Sequence, residues 1–349
     1  MKAREAAPVL RAAHEADCVD TMVNGDWDAV CDLLDLYDED DTSDPGAMEI
    51  EEILSQLEVP GDVFPRAAVE AAVANREEIT PRLLEILKKD PAELAERDEY
   101  FGQFFAMYLL AQFREQRALP TIVELFSGPA DVVAEMAGDF AADGLDRILA
   151  SVASGDAGPV KRLVENREAN EWARGSAVKA LVTMAASGQL SRGEVVGYLE
   201  HLFGGGLERE FSNTWNVLVS AATDIHAEEL RVQIDQAFED ELVEEFFIDR
   251  EYVEEHLAAP PGEDPLAGLD RRRYRLVDDT IEEMHWWAAF RPEGAPSERT
   301  PLPSPGGFGV APGYDFATAP SRSGKSGRAR KKAKNKRKAS KASKRKNRR

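Results

Sequence analysis

Apolar residues recur at helical spacing along most of the chain. Between about residues 65 and 257, nearly every segment has a 3.6-residue period that is interrupted by Gly or Pro. Leu119, Ile122, Val123 and Phe126 form one such stripe, and no segment alternates convincingly as a half-buried strand would. Each stripe needs a neighbouring helix to cover it. The pattern therefore predicts an all-α protein.

A short motif recurs at a fixed interval within this region. The string PRLLEIL begins at Pro81, PTIVELF begins at Pro120, and Pro159 precedes a third apolar pair, so both intervals are 39 residues. Proline is tolerated in the first helical turn, where its missing N–H has no intrahelical partner, so each proline is expected to begin an equivalent helix. Period and position predict an α-solenoid of antiparallel helix pairs.

The clearest unit begins at Asn170. The string NEWARGSAVKAL places small residues on one helical face, and Ser191 with Glu194 forms a capping box for the next helix. This spacing resembles the Asp-x-x-Val-Arg-x-x-Ala-x-x-Ala-Leu helix of HEAT-like repeats, with Asn170 in place of Asp and Ala173 in place of Val. The resemblance implies that the helix pairs are HEAT-like.

A longer resemblance covers about residues 48–290. It is carried by the strings EITPRLLEILKKDP, YFGQFFAMYLLAQFREQRALPTIVELFS, LDRILASVASGD, GQLSRGEVVGYLEHL and EMHWWAAF. These strings resemble the DUF1186 family, bacterial proteins of unassigned function. The resemblance implies a helical-repeat fold and a bacterial cytoplasmic setting, and it transfers no catalytic residue.

Composition divides the chain into four parts. Residues 1–47 are expected to form an acidic helical appendage, and residues 48–257 the solenoid. Residues 258–321 hold 10 of the 19 prolines and are interpreted as a linker that contains a docking helix at 271–290. That helix is expected to cap the last repeat, and the alternative is that it binds a partner. Residues 322–349 are expected to be a disordered basic tail.

The net charge of -22 conceals an opposition between body and tail. Residues 322–349 contain 16 Lys or Arg and no acid, which leaves 27 basic against 65 acidic residues upstream. A polyanionic body repels phosphate backbones, whereas a polycationic tail attracts them without base selectivity when it carries no aromatic group. The alternative is that the tail contacts the acidic body. The candidate polyanion-binding residues are Arg330, Lys331, Lys332, Lys334, Lys336, Arg337 and Lys338.

Cysteine content and hydropathy predict a cytoplasmic protein without a membrane span. Cys18 and Cys31 are too few for a disulfide framework, and the longest apolar run, near Phe104, has about eight residues, whereas a spanning helix needs about 20. His14 could join these cysteines in a zinc site, but no Cys-x-x-Cys spacing exists and two buried cysteines are the favoured interpretation. No metal and no cofactor is predicted.

No catalytic residue is assigned. Asp131, Asp139, Asp143 and Asp146 recur at about one helical turn, and paired carboxylates can perform acid/base chemistry. No nucleophile, oxyanion donor or cofactor loop accompanies them, so a solvated helix face is the favoured interpretation. The alternative function is an enzyme with a carboxylate-lined, metal-assisted site in the solenoid groove.

The leading hypothesis is a non-enzymatic scaffold. Its curved surface is expected to hold an unknown protein partner, while the tail contacts RNA, ribosomes or another polyanion. Aromatic and Arg side chains anchor many interfaces, although they also pack between repeats. The candidate partner-binding residues are Trp172, Arg174, Trp215, Trp286 and Trp287.

Overall fold

The chain folds into α-helices. The computed structural model describes residues 48–61, 63–90, 93, 100–258 and 264–290, and these ranges contain no β-strand. The all-α class is therefore confirmed. The helices are α1 (Ile50–Glu58), α2 (Arg66–Ala74), α3 (Arg76–Ile86), α4 (Gly102–Gln112), α5 (Ala118–Phe126), α6 (Ala130–Ala137), α7 (Leu145–Ala153), α8 (Ala157–Glu165), α9 (Glu171–Ala186), α10 (Arg192–His201), α11 (Asn213–Asp224), α12 (Arg231–Glu239), α13 (Arg250–Ala258) and α14 (Thr280–Met284).

Equivalent helices stack in the order in which they occur along the chain. Helix α4 packs on α7, α7 on α9, α9 on α11 and α11 on α13; we call these five helices the first layer. Helices α5, α8 and α10 lie against them, with α5 also contacting α8. Each first-layer helix thus covers the apolar stripe of the next. Packing of each helix on its neighbours in chain order is typical of a solenoid.

Small residues let the central helices approach closely. Helix α9 has 12 buried residues among its 16, many of them Ala, Gly or Ser. A Cβ atom added at Gly175 would lie 3.0 Å from Cγ2 of Val217 in α11 and 3.1 Å from Nδ2 of Asn213. Because the α9–α11 contact is this close, a larger residue at Gly175 would overpack it.

The 39-residue interval reappears as hydrogen bonds between units. Asn166 Nδ2 donates to the Ser127 carbonyl at 3.3 Å, and Gln189 Nε2 donates to the Ala150 carbonyl at 3.0 Å; the partners of each bond are 39 residues apart. Buried or part-buried carbonyls at the ends of one unit are satisfied in this way by amides of the next. The HEAT-like character of the units remains a prediction.

The three prolines are not equivalent. Pro120 and Pro159 each occupy the third position of their helices, α5 and α8, as expected. Pro81 instead lies at the sixth position of α3, so the prediction that it begins a helix is wrong. Helix α3 starts earlier, directly after Asn75, and the carbonyl that Pro81 leaves without its helical partner belongs to Glu77, an exposed residue.

The termini fall outside the described residues. The predicted appendage at 1–47 and the predicted basic tail at 322–349 are both beyond these ranges, and the division of the chain into four parts remains a prediction. Among the described helices, none combines the length and the apolar character that crossing a bilayer requires.

Candidate functional site on the first layer

A C-terminal segment crosses the first layer against the order of its helices. We call residues 264–290 the strap. Its residues contact α11 first, then α7, then α4 and finally the residues around α2. The contacting pairs are Tyr274 with Asp224, Val277 with Ser151, Thr280 with Gln112, and Phe290 with Phe64.

Side chains of the layer bind the main chain of the strap. Ser151 Oγ accepts the Val277 N–H at 2.9 Å, and the Arg114 guanidinium donates to the Val277 carbonyl. Gln112 Oε1 accepts both the N–H of Thr280, at 2.9 Å, and its hydroxyl, at 2.7 Å. The strap backbone at 277–280 is thus held as an extended peptide is held in a binding groove.

This engagement limits the helix within the strap. A docking helix is predicted over 271–290, whereas the structure has only α14 and a 3-10 turn at Ala288–Phe290, with residues 275–279 in no helix. The Asp279 carboxylate caps α14 by accepting the Ile281 N–H at 2.7 Å. The helix starts at Thr280, directly after this cap, and the main-chain groups of Val277 before it bond to Ser151 of α7 and to Arg114, which follows α4.

One buried ion pair joins the strap to the layer, and a second lies within the layer between α7 and α9. The Glu283 carboxylate is 2.6 Å from a guanidinium nitrogen of Arg147 and 2.8 Å from one of Arg275. The Asp146 carboxylate is 3.2 Å from Nζ of Lys179. Both acids are 2% exposed, so each charge depends on its partners rather than on water.

The two buried acids have opposite pKa shifts. Burial opposes ionisation of Asp146, but the positive charges of Lys179 and Arg147 outweigh it and hold the pKa of Asp146 below its ordinary value. For Glu283 burial dominates, and its pKa is raised despite Arg147 and Arg275. Asp146 is thus a well-compensated anion, whereas the ionised form of Glu283 is disfavoured in its site.

The strap ends in aromatic contacts. The ring of Trp287 lies edge-on to Phe104 at 5.6 Å and to Tyr108 at 6.0 Å, and 6.2 Å from Phe140. Its Nε1 donates to the Glu283 carbonyl at 3.0 Å. Such pairs favour a fixed ring position beyond simple area burial. Phe290 continues this cluster against Phe64, Phe101 and Phe105.

The other candidate partner-binding residues divide between interior and surface. Trp215 is 1% exposed and its Nε1 donates to the Glu208 carbonyl at 2.9 Å. Arg174 is 3% exposed and forms a two-pronged ion pair with the Glu208 carboxylate. Trp172, at the start of α9, is 38% exposed, and Trp286 is half-buried. The structure thus brings Trp215 and Arg174 together and leaves Trp172 on the surface.

The four aspartates of the enzyme hypothesis do not share one environment. Asp131 and Asp143 are exposed, whereas Asp146 is buried and paired with Lys179 of α9. Within the described ranges, no group of three or more His, Cys, Asp or Glu side chains is placed to hold a metal ion. The residues beyond those ranges include His14, Cys18, Cys31 and the polyanion-binding candidates Arg330 to Lys338.

Sequence reasoning missed the residues that hold the strap. Gln112 ends the largely apolar helix α4, Arg147 and Ser151 lie among apolar residues of α7, and Glu283 lies beside Met284 and Trp287 in the strap. A polar residue on a face that must be covered is the signal that could have identified them, because burial of such a group requires a partner.

The chain is similar in sequence to proteins without assigned roles. A family model described as "Protein of unknown function (DUF1186)" matches residues 48–291, a span that includes the strap and excludes the basic tail. An uncharacterized protein of Chlamydia muridarum is 37% identical over 243 residues, which are 69% of this chain and 97% of that relative. An uncharacterized protein of Chlamydia trachomatis is 37% identical over 247 residues, covering 69% and 96% of the two chains. No solved structure gives a significant match.

Proposed function

Since the chain belongs to the DUF1186 family, whose function is unknown, we propose its role from its own residues. It is a non-enzymatic helical-repeat scaffold that binds a protein partner, and its tail, residues 322–349, contacts RNA or another polyanion in a cytoplasmic setting. The observation that carries this proposal is the division of charge between a body of net charge -38 and a tail of +16.

The strap supports the non-enzymatic part of the proposal. It packs against α7, the helix that carries Asp146, and Asp146 is 2% exposed and paired with Lys179. A catalytic carboxylate must reach the proton that it transfers. Asp146 is instead satisfied within the fold, which favours a structural role.

A surface at the start of α9 and α11 supports the partner-binding part. Trp172 is 38% exposed and Phe211 is 45% exposed. The two helix starts are joined because the Glu171 carboxylate accepts the Asn213 N–H at 2.7 Å. Exposed aromatic side chains on a rigid support are typical anchors of protein interfaces. We therefore assign the partner surface to the region of Trp172 and Phe211.

Removal of the tail tests its role. We expect a chain that ends at residue 321 to lose RNA in a low-salt pull-down, and the full chain to lose it progressively as salt is added. A full chain whose tail residues are scrambled is the matched control, and it should retain binding because only mobile positive charge is required. Retention of RNA by the truncated chain would refute the tail contact.

Capture from the native host tests the partner surface. We expect the Trp172→Ala/Phe211→Ala chain to lose a protein that the wild-type chain retains. Val232, 78% exposed, provides the matched control, and Val232→Ala should capture the same protein as wild type. Equal capture by all three chains would remove Trp172 and Phe211 from the interface.

Elemental analysis separates the scaffold from the metal-assisted enzyme. Stoichiometric metal in the purified full chain that disappears in Asp139→Asn or Asp143→Asn would favour the enzyme. We expect no stoichiometric metal that depends on these two side chains.

A further inference from the structure

The strap is held by two kinds of contact, hydrogen bonds to its main chain and contacts to its individual side chains. Ser151, Gln112 and Arg114 bond to main-chain groups of Val277 and Thr280, which every peptide possesses. In peptide-binding grooves such main-chain bonds provide affinity, while pockets for individual side chains provide specificity. The strap has both kinds of contact.

Two side chains of the strap enter pockets of opposite character. The Glu283 carboxylate meets Arg147 of α7 at 2.6 Å, and Trp287, four residues later, meets the rings of Phe104, Tyr108 and Phe140. One helical turn separates the two side chains, and the bond from Trp287 Nε1 to the Glu283 carbonyl keeps the turn closed. The strap therefore presents an acid and an aromatic residue, four positions apart, to the first layer.

The first layer has helix-to-helix contacts of its own besides those that it makes with the strap. Helices α4, α7, α9 and α11 contact one another directly, and the strap adds α14 and buried side chains such as Val277 and Met284, both 0% exposed, beside them. Without the strap, this face would present the Arg147 and Arg114 guanidinium groups beside a ring-lined pocket. That combination fits a peptide with a carboxylate and an aromatic side chain.

We propose that this face of α4 and α7 is a peptide-binding groove, that the strap is its resident intramolecular ligand, and that a protein segment with a carboxylate followed four residues later by an aromatic side chain displaces the strap. This surface is separate from Trp172 and Phe211, so the proposal goes beyond the scaffold role and does not depend on it. An incoming segment would take over the main-chain bonds to Ser151 and Gln112 and fill the same sites at Arg147 and at the ring of Phe104.

A labelled peptide of residues 270–290 tests the groove on the full chain. We expect fluorescence anisotropy to show that the Trp287→Ala chain, whose resident strap is weakened, binds the peptide at least tenfold more tightly than the wild-type chain does. A peptide with Glu283→Ala should bind this chain at least tenfold more weakly than the unchanged peptide, because it lacks a charged hydrogen-bonding group. A scrambled peptide is the control.

The Arg147→Met change distinguishes recognition from nonspecific adhesion. In the Trp287→Ala background, Arg147→Met should abolish the preference for the unchanged peptide over a peptide that carries Glu283→Gln, while main-chain binding persists. A folded Trp287→Ala chain that binds no peptide, or binds the scrambled peptide equally well, would overturn the proposal.

A cleaved chain keeps the proposal testable where Trp287→Ala prevents folding. A protease site introduced within residues 259–263 allows the folded wild-type chain to be cut between α13 and the strap. We expect the labelled peptide to replace the cut strap, with the released segment detected by mass spectrometry. Failure of the labelled peptide to enter the cut chain would show that the strap is a permanent part of the core and would overturn the proposal.

Discussion

The α9–α11 contact and the strap contact hold the same layer by different means. Helices α9 and α11 meet through small and apolar side chains, close enough that Gly175 has no room for a larger residue. The strap also has apolar contacts, through Trp287 and Phe290, but it adds single polar groups and the buried pair of Glu283 and Arg147. The first contact gains stability from area and packing, whereas the second depends on each partner being present.

The largest expected loss of stability comes from removing a large buried side chain from the stacked helices. Trp215→Ala removes a side chain that is 1% exposed and contacts Phe203, so we expect the free energy of unfolding to fall by about 4 kcal/mol. Trp172→Ala removes the same side chain from a partly exposed position and should cost much less, about 0.5 kcal/mol. Chemical denaturation measures both changes, and equal losses would contradict the assignment of Trp215 to the core.

The next effect comes from breaking the strap pair. Arg147→Met leaves Glu283 buried with only Arg275, and we expect a loss of about 3 kcal/mol. The Arg147→Met/Glu283→Met chain removes both charges and should recover most of that loss. Thermal unfolding of the two single variants and the double variant completes the cycle. Additive losses would mean that the pair does not couple the strap to α7.

Smaller changes in stability, of opposite sign, are expected when two helical glycines, Gly175 and Gly197, are replaced by Ala. Gly175→Ala should lower the free energy of unfolding by about 1 kcal/mol, because the added Cβ would press on Val217. A Cβ added at Gly197 would have no neighbour within 4 Å. Gly197→Ala should therefore stabilise α10 by about 0.5 kcal/mol through higher helix propensity. Stabilisation by both substitutions would show that the α9–α11 contact has spare volume.

The smallest effects appear as pH dependence. Asp146, with a folded-state pKa below its ordinary 3.8, stabilises the fold above pH 3.8, and this contribution disappears as pH falls through the lowered pKa. Glu283, with a folded-state pKa above its ordinary 4.5, does the opposite: its site gains stability as pH falls from the raised pKa towards 4.5. The stability difference from wild type should therefore change below pH 3.8 for Asp146→Asn.

The Glu283→Gln chain provides the comparison for Asp146→Asn. For Glu283→Gln the difference from wild type should change above pH 4.5 and stay constant below it. Denaturant unfolding over a pH series measures both variants. A change in the same pH window for the two would contradict the opposite environments of Asp146 and Glu283.

Local signals were sufficient for part of the fold. Asn170 caps α9 by accepting the Trp172 N–H, and Ser191 and Glu194 form the expected capping box at α10. These features require only residues within one turn of each other. Pro81 shows the limit, because a proline pattern marks a helix without specifying where the helix begins.

The strap required information that no local pattern contains. The hydrogen bonds from the strap to Ser151, Arg114 and Gln112 join residues that are 126, 163 and 168 positions apart. Asp279 is a local signal for a helix that starts at Thr280, but the extended backbone before it depends on the distant polar groups that meet its main chain.

The sequence by itself determined the helical class, the helix caps, the 39-residue interval and the opposition of charge between body and tail. These properties depend on composition and on side chains three or four residues apart. Tertiary structure alone decided that Trp215 and Arg174 are interior, that Asp146 is paired, and that the strap covers the first layer. Burial of a polar or aromatic group depends on partners far away in the chain, and only the folded chain brings those partners together.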